Sequence, residues 1–170
     1  MRAVALTLAA VLIGTAAAQE IPKPGPEHKQ LKKLEGTWET TMKFGDKEHK
    51  GTMTYKLELG GLWLVGSLQS DTEDEKLKFY GKSMETYDSK KKKYVTLWFD
   101  SMSTTPMTME GTYDKEKKTM TMTGESVGMD GKPAKWKWVT QSKDDDTMVM
   151  SAYVGDAKEP MFTVNYKRKK

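Results

Sequence analysis

The chain has 170 residues, of which 36% are hydrophobic and 31% are charged, and it contains no cysteine. This length and even composition fit one globular domain with a single core. The lack of cysteine excludes disulfides, thiolate metal sites and a lipid-modified N-terminal cysteine, and a formal net charge of +4 is too small to indicate a nucleic-acid-binding protein.

Residues 1–18 are predicted to be a secretory signal peptide. Arg2 supplies a positive charge, an uncharged stretch follows, and Ala16-Ala17-Ala18 has the small-x-small form of a signal-peptidase site. The stretch is short of the roughly 20 apolar residues that span a bilayer. We therefore expect a secreted or periplasmic protein with no stable membrane insertion once this segment is removed.

Residues 19–35 are predicted to form a Pro-rich segment followed by one short helix. Pro24-Gly25-Pro26 precedes a segment with an acidic residue in its first turn, lysines in its last turn, and Leu31 and Leu34 three residues apart. Gly36 is expected to end the helix. The remaining residues, 36–170, are predicted to form a single β-domain.

The hydrophobic pattern of this β-domain has a period of two. Met53, Tyr55 and Leu57, for example, alternate with polar residues, which gives each strand one dry face and one wet face. Turn sequences separate these runs at short, fairly even spacing. About ten strands are predicted, at 36–44, 50–59, 62–70, 77–87, 93–100, 106–113, 118–126, 133–142, 147–154 and 160–168.

A series of hairpins with one dry face can fold as two stacked sheets or as a closed barrel. Closure also removes the exposed strand edges that would otherwise aggregate. We therefore predict an all-β fold: a single antiparallel up-and-down β-barrel of about ten strands with one short N-terminal helix.

Two sets of motifs resemble known families. Gly36-Thr37-Trp38 on the first strand, with Arg168 on the last strand, resembles the calycin pattern in which a basic side chain from the final strand covers the tryptophan, although Lys167 is an alternative partner. Longer motifs resemble the bacterial "domain of unknown function 1579" family over nearly all of the chain after residue 18. They are Pro24-Gly25-Pro26-Glu27-His28-Lys29, Gly36-Thr37-Trp38, Glu58-Leu59-Gly60-Gly61, Lys93-Tyr94, Trp98-Phe99-Asp100-Ser101-Met102-Ser103-Thr104, Met109-Glu110-Gly111-Thr112-Tyr113-Asp114 and Met122-Thr123-Gly124-Glu125. This second resemblance implies a lipocalin-like barrel in a family to which no activity has been assigned.

Tryptophan and methionine side chains form the candidate ligand-binding surface. The parity of Trp136 and Trp138 predicts that both face the lumen, and Trp63 and Trp98 are considered with them. Methionine pairs at i, i+2 are expected to point inward as well. Three interpretations stay open for these side chains: gap-filling core, which is favoured, the lining of an apolar ligand site, or a thioether copper(I) site. The methionine pairs are Met107 and Met109, Met120 and Met122, and Met148 and Met150.

Asp100 and Ser101 end an apolar strand and begin a run of hydroxyl side chains. They are interpreted either as polar anchors for a ligand at the barrel mouth or as turn residues that bond their own backbone. On the ligand interpretation, the binding residues are Trp98, Asp100, Ser101, Trp136, Trp138, Met109, Met122 and Met150, and the structural residues are Gly36, Trp38 and Arg168.

Catalysis finds little support in the sequence. The two histidines, His28 and His49, are expected on surfaces outside the inner face, so no serine nucleophile has a base and no haem an axial ligand. A two-carboxylate mechanism would need Asp100, Glu85 or Glu110, and parity directs Glu110 outward. No catalytic residue, metal or cofactor is therefore predicted.

The sequence thus predicts an exported protein that binds a small apolar or amphipathic molecule inside the barrel. The alternatives are a carboxylate-based hydrolase or isomerase at the barrel mouth, or a scaffold whose core is filled. An interior pocket of about 300–1,000 Å³ would separate ligand binding from the scaffold.

Overall fold

The computed structural model describes residues 21–72, 78–128 and 130–170. The signal peptide predicted for residues 1–18 lies outside these residues, as does the start of the strand predicted at 77–87. Among the described residues, no helix is long and apolar enough to cross a lipid bilayer.

The predicted fold class is confirmed. One helix is followed by ten antiparallel strands, each paired with the strands before and after it in the chain, and the last strand pairs with the first to close the barrel. The elements are α1 Pro26–Lys32, β1 Gly36–Phe44, β2 Lys47–Glu58, a 3-10 turn Leu59–Gly61, β3 Trp63–Ser70, β4 Tyr80–Asp88, β5 Lys93–Asp100, β6 Met107–Asp114, β7 Thr119–Val127, β8 Pro133–Ser142, β9 Thr147–Val154 and β10 Phe162–Arg168.

Helix α1 covers one end of the barrel. Pro26 occupies the first helical position, where its missing N–H costs nothing, and the Gly25 N–H donates to Nδ1 of His28 over 3.0 Å. Leu31 is fully buried, and the Tyr94 hydroxyl donates to the Glu27 carbonyl over 3.4 Å. The apolar face of this short helix therefore closes the lumen at that end.

Arg168 ties the end of α1 to both β1 and β10. Its guanidinium donates to the carbonyls of Glu35 and Lys33, each over 2.7 Å, and its Cζ lies 4.0 Å from the centroid of the Trp38 ring. The Trp38 indole N–H donates to the Leu34 carbonyl over 2.8 Å. Arg168, and not Lys167, is therefore the side chain that covers the first-strand tryptophan.

Candidate functional site

The barrel interior contains two groups of buried side chains. The larger group includes Leu31 of α1, and the smaller consists of Met150, Ala152 and Val164. Three side chains pack against both groups and remain only partly buried: Trp136, Trp138 and Tyr166. The part of the lumen where the two groups meet is therefore the candidate site.

The three candidate methionines face this lumen. Met109 is 0% exposed, Met122 5% and Met150 8%. The inward parity predicted for them is therefore confirmed, because successive residues of a strand point to opposite faces. Contact of these side chains with a ligand stays a prediction.

Trp136 and Trp138 also face inward, from β8. Their indole Nε1 atoms are buried and find no acceptor in the described part of the chain. Trp138 lies edge-on against Trp98 of β5, with ring centroids 5.9 Å apart and planes at 78°. Trp63 is directed outward, since its neighbour Leu64 is fully buried, so the grouping of Trp63 with the inner tryptophans was wrong.

A glycine makes room for the Trp98 ring. A Cβ at Gly81 would come within 2.4 Å of the Trp98 Cη2 atom, so no larger residue fits there unless the indole moves. The Trp98 indole N–H donates to Asp100 Oδ2 over 2.8 Å. The ring is therefore held at a fixed angle against Trp138.

Asp100 and Ser101 are engaged with the backbone of the barrel rim. The second carboxylate oxygen of Asp100 accepts the Met102 N–H over 2.9 Å, and Ser101 Oγ accepts the Tyr80 N–H over 3.1 Å. Ser101 is exposed. Both side chains hold the turn that follows β5, and a role for either in ligand binding stays a prediction.

Glu85 is the polar group of the lumen that sequence reasoning underrated. It lies on the inner face of β4, paired in register with Leu64 of β3 and Thr96 of β5, and Ser83 Oγ donates to its Oε1 over 3.1 Å. Burial raises the pKa of this carboxyl to about 7, against the opposing effect of the Ser83 hydrogen bond. The solvent exposure of Glu85 is nonetheless intermediate, so this residue is not fully buried.

Two tyrosines lie near this carboxyl. Burial raises the pKa of Tyr55 and of Tyr166 well above the ordinary phenol value, and the proximity of Glu85 raises both further. Both phenols therefore stay protonated at neutral pH and can donate hydrogen bonds. Gly66 makes room for the arrangement, because a Cβ there would lie 2.3 Å from Ser83 Oγ and 2.9 Å from the Tyr55 ring.

His28 is not the surface residue that the sequence indicated. It is only 8% exposed, its ring lies edge-on to Tyr87 at 6.5 Å, and its Nε2 is buried without a partner among the described residues. The reason is helical spacing: residues three apart share a face, so the face that buries Leu31 against the barrel also turns His28 inward. His49 is exposed, as expected.

The other two carboxyls considered for catalysis lie elsewhere. Glu110 faces outward, where Lys91 donates to it and Lys93 Nζ lies 3.6 Å away, and the hydrogen bond from Lys91 lowers its pKa. Asp100 accepts hydrogen bonds from the Trp98 indole and the Met102 backbone N–H at the barrel rim. Over residues 21–72, 78–128 and 130–170, no group of three or more His, Asp or Glu side chains is placed to hold a metal ion.

The ten-stranded closed barrel, with its covered Gly-x-Trp motif and aromatic lumen, defines a lipocalin-like barrel protein. The model of the family described as "Protein of unknown function (DUF1579)" matches residues 23–168. The chain belongs to this family, which confirms the resemblance seen in the motifs. No curated protein matches the chain. Among solved structures it is similar to a redesigned β-barrel, with 16% identity, coverage of 83% of this chain and 96% of that chain, and a TM-score of 0.44.

Proposed function

We propose that the protein binds a small, largely apolar molecule in the barrel lumen, and that an oxygen of this molecule accepts hydrogen bonds from the indoles of Trp136 and Trp138. The observation that carries the proposal is the pair of buried Nε1 donors without an acceptor in the described protein. An unsatisfied buried donor costs about 1–3 kcal/mol, and such donors in native proteins normally meet a ligand or an ordered water.

The surroundings of these indoles support an apolar ligand. Met150, Val164 and Phe162 pack near Trp136 and Trp138, and thioethers adapt their shape to varied apolar surfaces. The indoles themselves are only partly buried although they face the interior. Small-molecule sites are usually mostly apolar with a few convergent polar groups, and the side chains around Trp136 and Trp138 have this composition.

Extraction of the native protein tests the proposal. Protein purified from its source should release a small apolar or amphipathic compound when it is denatured for mass spectrometry. Refolded protein, freed of that compound, should bind it again with a change in tryptophan fluorescence. No released compound, together with no fluorescence response to a panel of hydrophobes, would contradict the proposal.

The indole N–H resonances locate the binding event. In ¹⁵N-edited NMR spectra, the Nε1–H signals of Trp136 and Trp138 should move and exchange more slowly when the compound is added. Trp38 is the internal control, because its indole already donates to the Leu34 carbonyl. If the Trp136 and Trp138 signals are as protected without the compound as with it, ordered water satisfies them and the proposed contact is wrong.

We also propose that the protein acts after export, in a secreted or periplasmic compartment. This proposal depends on the sequence of residues 1–18 alone, in which Arg2, an apolar stretch and Ala16-Ala17-Ala18 follow the order of a secretory signal. N-terminal sequencing of the mature protein should begin at Gln19.

A further inference from the structure

We propose that the ligand is an organic ammonium ion, whose positive charge is held by the Glu85 carboxylate between the aromatic rings of the lumen. This inference rests on the proposed function, because it names the chemical class of the molecule bound there. Three observations carry it: a carboxyl group that has no basic partner among the described residues, aromatic rings near that group, and the exposure of the described lysines on the outside of the barrel.

The carboxyl group of Glu85 has one protein partner in the described chain, the Ser83 hydroxyl at 3.1 Å. None of the described lysines or arginines forms an ion pair with it. A buried carboxylate is costly unless an opposite charge accompanies it. A cationic ligand supplies that charge, whereas an anionic ligand would be repelled.

Aromatic rings stand next to this carboxyl. Trp98 lies directly opposite Ser83 in the register of β4 and β5, at the separation where cross-strand side chains touch. The Trp138 ring packs edge-on against Trp98, with ring centroids 5.9 Å apart. The phenols of Tyr55 and Tyr166 lie near Glu85. Ring faces attract cations, and aromatic cages of this composition recognise quaternary ammonium groups.

The basic side chains of the described residues do not favour an anionic ligand, because nearly all of their lysines are exposed. Lys43, Lys91 and Lys117 form ion pairs through side chains that are more than half exposed, and Arg168 is engaged at the helix end. The ammonium end of the ligand is therefore expected towards β4, and its hydrogen-bond acceptor towards β8, where the unpaired indoles lie.

A pair of isosteric esters tests the inference. Hexanoylcholine carries an ester oxygen and a quaternary ammonium group, and 3,3-dimethylbutyl hexanoate has the same shape with the charged nitrogen replaced by carbon. Calorimetric titration of refolded full-length mature protein at pH 8 should give an affinity for hexanoylcholine at least about tenfold higher than for the neutral ester. Hexanoate, the anion, should bind more weakly than either.

Two matched variants assign the charge preference to Glu85. Glu85→Gln should abolish the preference for hexanoylcholine while the neutral ester binds as in the wild type, which also shows that the lumen is intact. Glu125→Gln makes the same change on the outer face of β7, where the side chain is exposed, and should leave both affinities unchanged.

The outcomes separate this inference from the proposed function. If the two esters bind wild-type protein equally, or if hexanoate binds most tightly, the ammonium inference is overturned and the binding function stands. A preference that persists in Glu85→Gln overturns the role of Glu85. If none of the three probes binds and no compound is released from native protein, both proposals fail.

Discussion

At the scale of single residues, environment decides which carboxyl group of this chain is chemically distinctive. Asp88 and Asp114 accept backbone N–H bonds in their turns, and those bonds lower the pKa of each. Glu85 receives one hydroxyl donor and is surrounded by the barrel, so burial raises its pKa instead. The same functional group thus titrates near pH 7 in the lumen and in the acidic range on the surface.

The raised pKa of Glu85 predicts a pH-dependent stability. With a pKa of about 7 in the folded state and an ordinary value of 4.5, the carboxyl contributes its full stability below pH 4.5 and loses it as the pH rises through 7. The free energy of unfolding without ligand should fall by roughly 2 to 3 kcal/mol between pH 5 and pH 8. Tyr55 and Tyr166 stay neutral throughout this range, and the register neighbours Leu64 and Thr96 carry no charge.

Urea denaturation of the wild type, Glu85→Gln and Glu125→Gln at both pH values is the measurement. Glu85→Gln should abolish the fall in the free energy of unfolding between pH 5 and pH 8, and Glu125→Gln should show the same fall as the wild type. An equal decline in all three proteins would show that Glu85 does not titrate as the structure indicates.

Period-two patterning could not reveal Glu85, for a physical reason. In β4, apolar Met84 points outward, while Ser83 and Glu85 share the inner face with Gly81, so the strand shows no clean dry face. The inward direction of Met109, Met122 and Trp136 was predictable, because each is flanked on both sides by a polar residue. The burial of His28 was not predictable from the sequence, because it depends on where α1 docks against the barrel.

At the scale of elements, most of the fold was predictable because its turns and strands are encoded locally. The strands observed at 36–44, 93–100, 133–142 and 147–154 have the predicted bounds, and each is bordered by turn residues. The docking of α1 depends on contacts distant in sequence. Arg168 reaches back from β10 to the carbonyls that end the helix, a separation of 135 residues from Lys33.

Arg168 is predicted to stabilise both the helix and the barrel end. Arg168→Met removes charge-assisted bonds to the carbonyls of Lys33 and Glu35 and the contact with the Trp38 ring. The free energy of unfolding should drop by roughly 2 to 4 kcal/mol, and amide hydrogen exchange over residues 26–32 should quicken. Lys167→Met, at the exposed neighbouring position, should change neither quantity. Equal effects of the two variants would refute the anchoring role.

At the scale of the whole molecule, closure of the sheet replaces other means of stabilisation. The chain has no cysteine and therefore no disulfide, and every strand, including β1 and β10, has two hydrogen-bonded neighbours. Closure also encloses the lumen, because the inner faces of the ten strands surround a common interior only when β10 pairs with β1. This pairing runs from Trp38 opposite Arg168 to Lys43 opposite Thr163. The stability of the barrel and the proposed binding site therefore both depend on the pairing of β1 with β10, here called the seam.

A proline in that seam should open the barrel. Asn165 lies in the middle of β10, paired with Thr41 on one side and Val149 on the other. Proline there cannot donate to the ladder, and it is confined to edge strands, strand starts and bulges in natural sheets. Because opening exposes the edges of β1 and β9 to pairing between molecules, Asn165→Pro should form higher-order species in size-exclusion chromatography. Ser89→Pro, at a turn position between β4 and β5 that favours proline, should elute as the wild type does. A barrel that tolerates Asn165→Pro without association would show that its edges are protected by something other than closure.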